Sequence, residues 1–400
     1  MKRARIATYL ANLLDHFDTS LYGFLVPILA PLFFPQNDPV TALIKGYGIV
    51  IIGLITRPLG AWYYSKKAQN IGPHHALIAT IQGMTITTFC FVFLNTHSEW
   101  GAYGAIGLCT LRGFQSFFGA GEVSIAGLYV LEGTKYEHQH QVTSMYLSSQ
   151  MAGILLAGAA ASLIFYSPTP HLYWKWPFYG SLITGASGWL LRKQYPPAFT
   201  PKQKLEKSKT NWNGVFKVAI VSGFSYVLYS ASFLFFNNFA ALLTNTPMPK
   251  IMALNTSLMV FDLILLVIVG RLFRNINCKP LLKTIILISV VFIPLMFAYL
   301  PYLDFIGICI IKTIIISLGV AFCIPMHRWY WQEFSPHNRY KTTAIGYAIG
   351  SETLGRTFPA VGLAIWQYTN SPIMPGLYIT LIGILALLAL SVGGRNKDIE

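Results

Sequence analysis

Apolar stretches long enough to cross a lipid bilayer recur along the whole chain, separated by short loops rich in lysine and arginine. Crossing the hydrocarbon core takes about 20 apolar residues of helix. Such runs fall at residues 8–34, 41–65, 76–95, 101–131, 142–166, 174–192, 213–243, 250–271, 281–299, 302–326, 340–368 and 372–393. The expectation is therefore an all-α polytopic membrane protein with 12 transmembrane helices and both termini on one side. Composition agrees, since only 11% of the 400 residues are charged and 54% are hydrophobic. A soluble domain carries roughly 25% charged residues, so this chain needs lipid to cover its surface.

The net charge of +15 has two readings, an anionic partner or membrane topology. Most of the basic residues sit in short loops between apolar runs, with no basic domain to carry a nucleic acid, so topology is preferred and no nucleic-acid partner is expected. With the N-terminus cytoplasmic, the inside segments hold Lys2, Arg3, Arg5, Lys66, Lys67, Lys135, Arg271, Arg274, Lys279, Arg328, Arg339, Arg395 and Lys397, whereas the outside loops hold little beyond Lys175 and Lys250. That asymmetry predicts cytoplasmic N- and C-termini in a bacterial inner membrane. The start, Met1-Lys2-Arg3-Ala4-Arg5, resembles a signal-peptide n-region. The following run contains Asp15 and Asp18 and has no clear small-residue cleavage site, so it reads as an uncleaved first helix. The longest polar stretch, Arg192 to Asn213, divides the chain into a six-helix half at 1–192, a cytoplasmic linker at 193–212 and a second six-helix half at 213–400. The cysteines (Cys90, Cys109, Cys278, Cys309, Cys323) are scattered without a C-x-x-C pair, so neither a disulfide framework nor a metal site is expected, and no cofactor.

Ionisable residues inside the spans carry the functional information. Each costs several kcal/mol against lipid and must face a cavity or a partner. Asp15 and Asp18 share one face of the first span, Arg57 precedes Pro58 in the second, and Arg112, Gln115 and Glu122 form a stripe in the fourth. Glu352 and Arg356 lie in the eleventh span, with Asp262 in the eighth and Lys312 in the tenth; the last two receive no assigned role from sequence. Structural readings stand beside the functional ones. Glu352 and Arg356, at i and i+4, have the favoured order for an intrahelical pair. Arg57 and Arg112 are also placed to cross-link helices, to Asp15 or Glu122. In the functional reading, buried Asp15, Asp18 and Glu122 bind and release a proton, and a nearby arginine grips a substrate carboxylate with its two-pronged guanidinium. Span seven carries Tyr226, Tyr229, Ser232, Phe233, Asn237 and Asn238, an aromatic stripe that reads either as packing or as a cage for a quaternary ammonium group. The small-residue run from Met151 lets the fifth span pack closely, a structural feature of any polytopic protein.

Several of these segments together resemble the metabolite:proton symporters of the major facilitator superfamily, a group that includes bacterial proline and betaine carriers. Asn12-Leu-Leu-Asp15-His-Phe17-Asp18-Thr-Ser-Leu-Tyr22-Gly23-Phe24 is similar to its first-helix signature, with Phe33-Phe34-Pro35 and Asp38-Pro39 following at the family's spacing. Arg57-Pro58-Leu59-Gly60 resembles the second-helix motif, and Arg112-Gly-Phe-Gln115-Ser-Phe-Phe-Gly-Ala-Gly121-Glu122, closing with Glu132, the fourth-helix signature. Trp174-Lys-Trp176-Pro177-Phe178, Pro197-Ala-Phe199 and Phe334-Ser-Pro-His-Asn-Arg339-Tyr340 extend the likeness over nearly the whole chain. The resemblance implies the twelve-helix major facilitator fold, alternating access, proton symport and a substrate site near mid-membrane between the halves. It makes Asp15, Asp18, Arg57, Arg112 and Glu122 the leading site residues. Two departures stand out. The loop between helices two and three normally reads Gly-x-x-x-Asp-Arg-x-Gly-Arg-Arg in the superfamily; here Ser65 to His74 lacks the acid and its following base. The matching loop at Gly270–Pro280 has Arg274 where the acid usually stands. Those charges normally latch the inside gate, so the expectation here is either looser gating or gating through other contacts.

The function expected is proton-coupled symport of a small metabolite, a zwitterionic amino acid or osmolyte such as proline or betaine. Proton carriage falls to Asp15, Asp18 and Glu122, and substrate contact to Arg57, Arg112, Gln115, Tyr22, Tyr226, Tyr229, Asn237, Glu352 and Arg356. The alternatives are a di- or tricarboxylate transporter of the same family, using several of the cations Arg57, Arg112, Lys312 and Arg356, a uniporter or exchanger, or a sensor that keeps the fold without transport. An enzyme is not expected: no nucleophile–base constellation, metal cluster or phosphate loop is present, and His74, His75, His138 and His140 fall in loops. The expected partners are the lipid bilayer, the substrate and protons, and the expected state is a monomer.

Overall fold

The computed structural model describes residues 2–35, 49–132, 134–165, 167–194, 210–244, 246–336 and 338–392. Asp38, Pro39, Pro197 to Phe199, the linker from 195 to 209, His337, Arg395, Lys397 and the Asn238 side chain lie outside the described set. Among the described residues there is no strand, and the long helices follow the apolar runs. They are α1 (Lys2–Phe33), α2 (Val50–Ile71), α3 (Pro73–Cys90), α4 (Ala102–Tyr129), α5 (Gln139–Phe165) and α6 (Trp176–Gln194). Next come α7 (Trp212–Ser230, continuing through Ala231–Phe235 and Phe236–Thr244), α8 (Met248–Leu272), α9 (Cys278–Tyr299) and α10 (Phe305–Glu333). The series closes with α11 (Arg339–Gly350, continuing through Ser351–Arg356 and Phe358–Thr369) and α12 (Met374–Ser391). The chain is an all-α polytopic membrane protein.

Local chemistry sets the breaks. Gly72 at φ 95° turns the chain between α2 and α3, and Pro73 opens α3 where no backbone donor is needed. Gly101 at φ 56° does the same before α4. Asn211 and Asp304 cap α7 and α10, accepting the Gly214 and Gly307 amides at 3.0 and 2.9 Å. Helix α1 begins at Lys2, six residues before the apolar run, and α2 continues to Ile71, past the expected end at 65. A helix satisfies its own backbone whether lipid or water surrounds it, so it does not stop where the apolar run stops. Both α7 and α11 contain a π-helical turn, at Ala231–Phe235 and Ser351–Arg356. Among the described residues, seven segments are apolar and long enough to cross a membrane by length and composition. Of the helices outside that set, α1, α2, α4 and α11 are the ones with ionisable groups placed within a span.

Packing divides the chain into two compact units, residues 1–133 with 149–206, and residues 134–148 with 207–400. In the first unit, Leu21, Leu25, Leu29 and Phe33 form one stripe of α1 within a core that includes Phe91, Trp174 and Phe178. Phe33 meets Trp174 edge-on at 5.6 Å, and Phe91 stacks on Phe178 at 5.0 Å. In the second unit, Phe235 is the hub, with Phe239, Phe358 and Phe297 at 4.6, 5.1 and 5.7 Å. Each unit also contains a helix crossing that only glycine permits. A Cβ on Gly153 of α5 would strike the Leu13 carbonyl of α1, and one on Gly350 of α11 would strike the Ala219 carbonyl of α7.

The segment at 134–148 is held within the second unit by the close packing of Ser144 on Gly270 and by an aromatic contact. The buried Arg328 guanidinium lies 3.5 Å from the Tyr136 ring centre, and the Tyr136 hydroxyl donates to Asn277 Oδ1 at 2.9 Å. The neighbouring Arg274–Glu137 pair, 3.2 Å apart, is exposed on both sides. An exposed pair contributes about 0–1 kcal/mol, whereas a desolvated cation–π contact is worth up to about 2 kcal/mol, so the stack is the stronger tie. Gly153→Val and Gly350→Val are expected to destabilise the protein by about 1–3 kcal/mol each, read as a lower Tm in detergent. Gly23→Ala should leave Tm unlowered, because no atom lies within 4 Å of the new methyl.

Candidate functional site

Within the first unit, α1, α3 and α4 bring four predicted residues together. Asp18 and Tyr22 are one turn apart on α1, and Arg112 and Gln115 one turn apart on α4. The Arg112 guanidinium lies 4.2 Å from the Tyr22 ring centre and donates to Gln115 Oε1. Gln115 Nε2 donates in turn to the Asp18 carbonyl at 3.3 Å and to Thr88 Oγ1 on α3 at 3.0 Å. Gln115 thus ties α4 to two other helices and fixes where the guanidinium points. Thr88 was not anticipated; it shows only as one hydroxyl in an otherwise ordinary run.

Arg57 approaches the same region from α2. Its guanidinium is 4.0 Å from where a Gly119 Cβ would stand, beside the Thr19 methyl. Glycine at 119 makes room for the Met84 methyl, which a Cβ there would meet at 2.8 Å, while Arg57, only 7% exposed, is in ordinary contact. Asp15 and Asp18 are buried, at 4% and 3% exposure. The neighbouring His16 ring nitrogen lies 2.9 Å from the Asn12 carbonyl and 3.9 Å from Asp15, so it is engaged chiefly with the backbone. Glu122 stands apart from the Gln115 layer by two turns of α4, about 10 Å, and accepts from the Thr80 hydroxyl at 3.1 Å.

The residues predicted in the second unit fall into separate groups. Tyr226 accepts a hydrogen bond from the Tyr347 hydroxyl at 3.2 Å, the rings edge-on. Tyr229 stacks on Phe233, and its hydroxyl is 3.5 Å from Cys323 Sγ. Tyr226 and Tyr229 therefore meet different neighbours rather than forming a single stripe. Glu352 and Arg356 pair at 2.9 Å inside the π-helical turn of α11, the intrahelical arrangement that their spacing favours.

Lys312, left unassigned by sequence, is fully buried, and its ammonium donates to Asn237 Oδ1 at 2.5 Å and Asn255 Oδ1 at 2.7 Å. Asn237 sits two turns before the end of α7, Asn255 two turns into α8 and Lys312 two turns into α10, so three helices meet in one polar layer. Asn255 escaped the sequence reading because a lone asparagine in an apolar run looks unremarkable. The usable signal was Lys312 itself, since a buried ammonium requires acceptors from neighbouring spans. Asn255→Leu should lower stability by about 1–3 kcal/mol, and by less in a Lys312→Met background, where no ammonium needs the amide. Thermal unfolding of the two single variants and the double variant measures this coupling.

Residues 8–360 match the model of the Major Facilitator Superfamily. The chain is 24% identical over 415 residues to the glycine betaine/proline/ectoine/pipecolic acid transporter OusA of Dickeya dadantii, covering 97% of this chain and 82% of that protein. It is 28% identical over 205 residues to the proline/betaine transporter of Salmonella typhimurium, a match spanning 50% of this chain and 41% of that protein. Among solved structures, a double-tryptophan mutant of XylE superposes with a TM-score of 0.80 at 15% identity, covering 96% of this chain and 94% of that one. The fucose transporter FucP in its outward conformation gives 0.66 at 15% identity, covering 96% and 97%. The family match spans nearly the whole chain and the solved structures share the helical fold, so the chain belongs to the major facilitator superfamily.

Proposed function

We propose that the protein is a proton-coupled symporter of a small zwitterion, an amino acid or osmolyte of the proline or betaine kind, working by alternating access. The observation that carries this reading is the layer in which Arg112 lies over Tyr22 and is anchored through Gln115 to the Asp18 backbone. A guanidinium held in a fixed orientation suits a single carboxylate, and an aromatic face suits an onium group. Asp15, Asp18 and Glu122 are the proton carriers in this reading, with Arg57, Arg112, Gln115 and Tyr22 as substrate contacts. Tyr226, Tyr229 and Asn237 are assigned to substrate contact from the second half. The names of the relatives, transporters of betaine and proline, support the same substrate class.

A di- or tricarboxylate needs several uncommitted cations. Arg356 is engaged by Glu352 at 2.9 Å and Lys312 by two asparagines, which favours a substrate with one carboxylate. Glu352 and Arg356 then shape the site as a neutral pair. The protein is proposed to be a monomer in a bacterial inner membrane, with both termini cytoplasmic and halves at 1–192 and 213–400 joined by the 193–212 linker.

Uptake of labelled proline, betaine, 2-oxoglutarate and citrate into proteoliposomes, with and without an inward proton gradient, tests the proposal. Gradient-stimulated accumulation of proline or betaine is expected. Accumulation of 2-oxoglutarate or citrate instead would overturn the substrate class, and uptake indifferent to the gradient would indicate a uniporter or exchanger. Asp18→Asn should abolish gradient-driven accumulation; full accumulation by that variant removes Asp18 from coupling. Arg112→Lys should weaken uptake strongly, because an ammonium cannot reproduce the guanidinium fork. Unchanged uptake kinetics would make Arg112 peripheral.

A further inference from the structure

Asp262 stands near the middle of α8 and is completely buried. Neither of its carboxyl oxygens has a well-formed hydrogen bond, the approach of the Tyr229 hydroxyl being a weak one, and among the described residues no cation pairs with it. The titratable groups that face it come from the two neighbouring helices: Tyr229 from α7 and Cys323 from α10, which are already 3.5 Å from each other. Two turns along the same face of α8 lies the Asn255 layer, about 10 Å away, where the Lys312 ammonium is committed to amide oxygens. At the far end of α8, Gly270 packs against Ser144 and the His140 carbonyl of α5. Among the described residues, no group of histidines, cysteines and acids could hold a metal ion.

A naked carboxylate in that position would be an unpaired charge in a low-dielectric interior, at an effective cost of several kcal/mol. The neutral carboxyl avoids that charge. We propose that Asp262 is a proton-binding site in the second unit, one that loads and unloads the transported proton alongside the acids of α1 and α4. The step forms one carboxyl O–H bond with a proton taken from water, and release returns that proton to water. Release requires the carboxylate to gain water or to draw nearer Lys312, because its present surroundings offer it neither. Proton loss and rearrangement of the α7–α8–α10 seam are therefore linked. The role in coupling rests on the proton-symport reading above; the proton site itself does not.

Infrared difference spectra of the whole protein in detergent, taken across a pH series, test the site through the C=O stretch of a protonated carboxyl. Gradient-driven proline accumulation in proteoliposomes tests its use. Wild type should show the band, and Asp262→Asn should lose both that band component and the accumulation. An unchanged band in Asp262→Asn overturns the proton site, and wild-type accumulation by the variant overturns its part in coupling. Should Asp262→Asn fail to fold, Asp262→Glu carries the test: the band should shift to a glutamic-acid frequency, and an unmoved band again overturns the site. A wild-type band without accumulation of any substrate would refute the symport reading and leave the proton site standing.

Discussion

Inside a bilayer, a polar group has no water to turn to, and this cost organises the whole molecule. The backbone meets it by staying helical from loop to loop, which is why α1 and α2 run past the ends of their apolar stretches. Side chains meet it by grouping. Arg112 finds Gln115 and a tyrosine face, Glu122 finds a threonine, Glu352 finds Arg356, and Lys312 finds two asparagines. Asp262 differs from these: it is fully buried, no cation pairs with it among the described residues, and its polar neighbours are the Tyr229 phenol and the Cys323 thiol.

The two units solve the problem with different chemistry. The first gathers Arg112, Gln115, Tyr22, Thr88 and the Asp18 carbonyl from α1, α3 and α4 into one layer, with amide and hydroxyl groups fixing directions. The second keeps its charges apart: a cation among amides, an acid beside a phenol and a thiol, and an acid–base pair within one helix.

Much of this was legible in the sequence. The apolar runs located the long helices, and the stripe of Arg112, Gln115 and Glu122 placed polar residues on α4, because helical periodicity alone sets which residues share a face. The i, i+4 spacing of Glu352 and Arg356 likewise announced their pairing. What escaped depended on contacts between distant segments. Asn255 has meaning only next to Lys312, 57 residues away, and Thr88 only next to Gln115. The π-helical turns in α7 and α11 also left no recognisable mark, since they change the residue count per turn without changing composition. The degenerate loops at 65–75 and 270–280 left looser gating and other contacts open. At the second of them Tyr136 donates to Asn277 and stacks on Arg328.

Helix α5 is a single continuous element, yet its first turns pack with one unit and the remainder with the other, the change falling between Ser148 and Ser149. Its first turns are seated by the Tyr136 stack and by Gly270 against Ser144, and its later turns by Gly153 against the α1 backbone, so membership of one helix does not decide which core a residue joins.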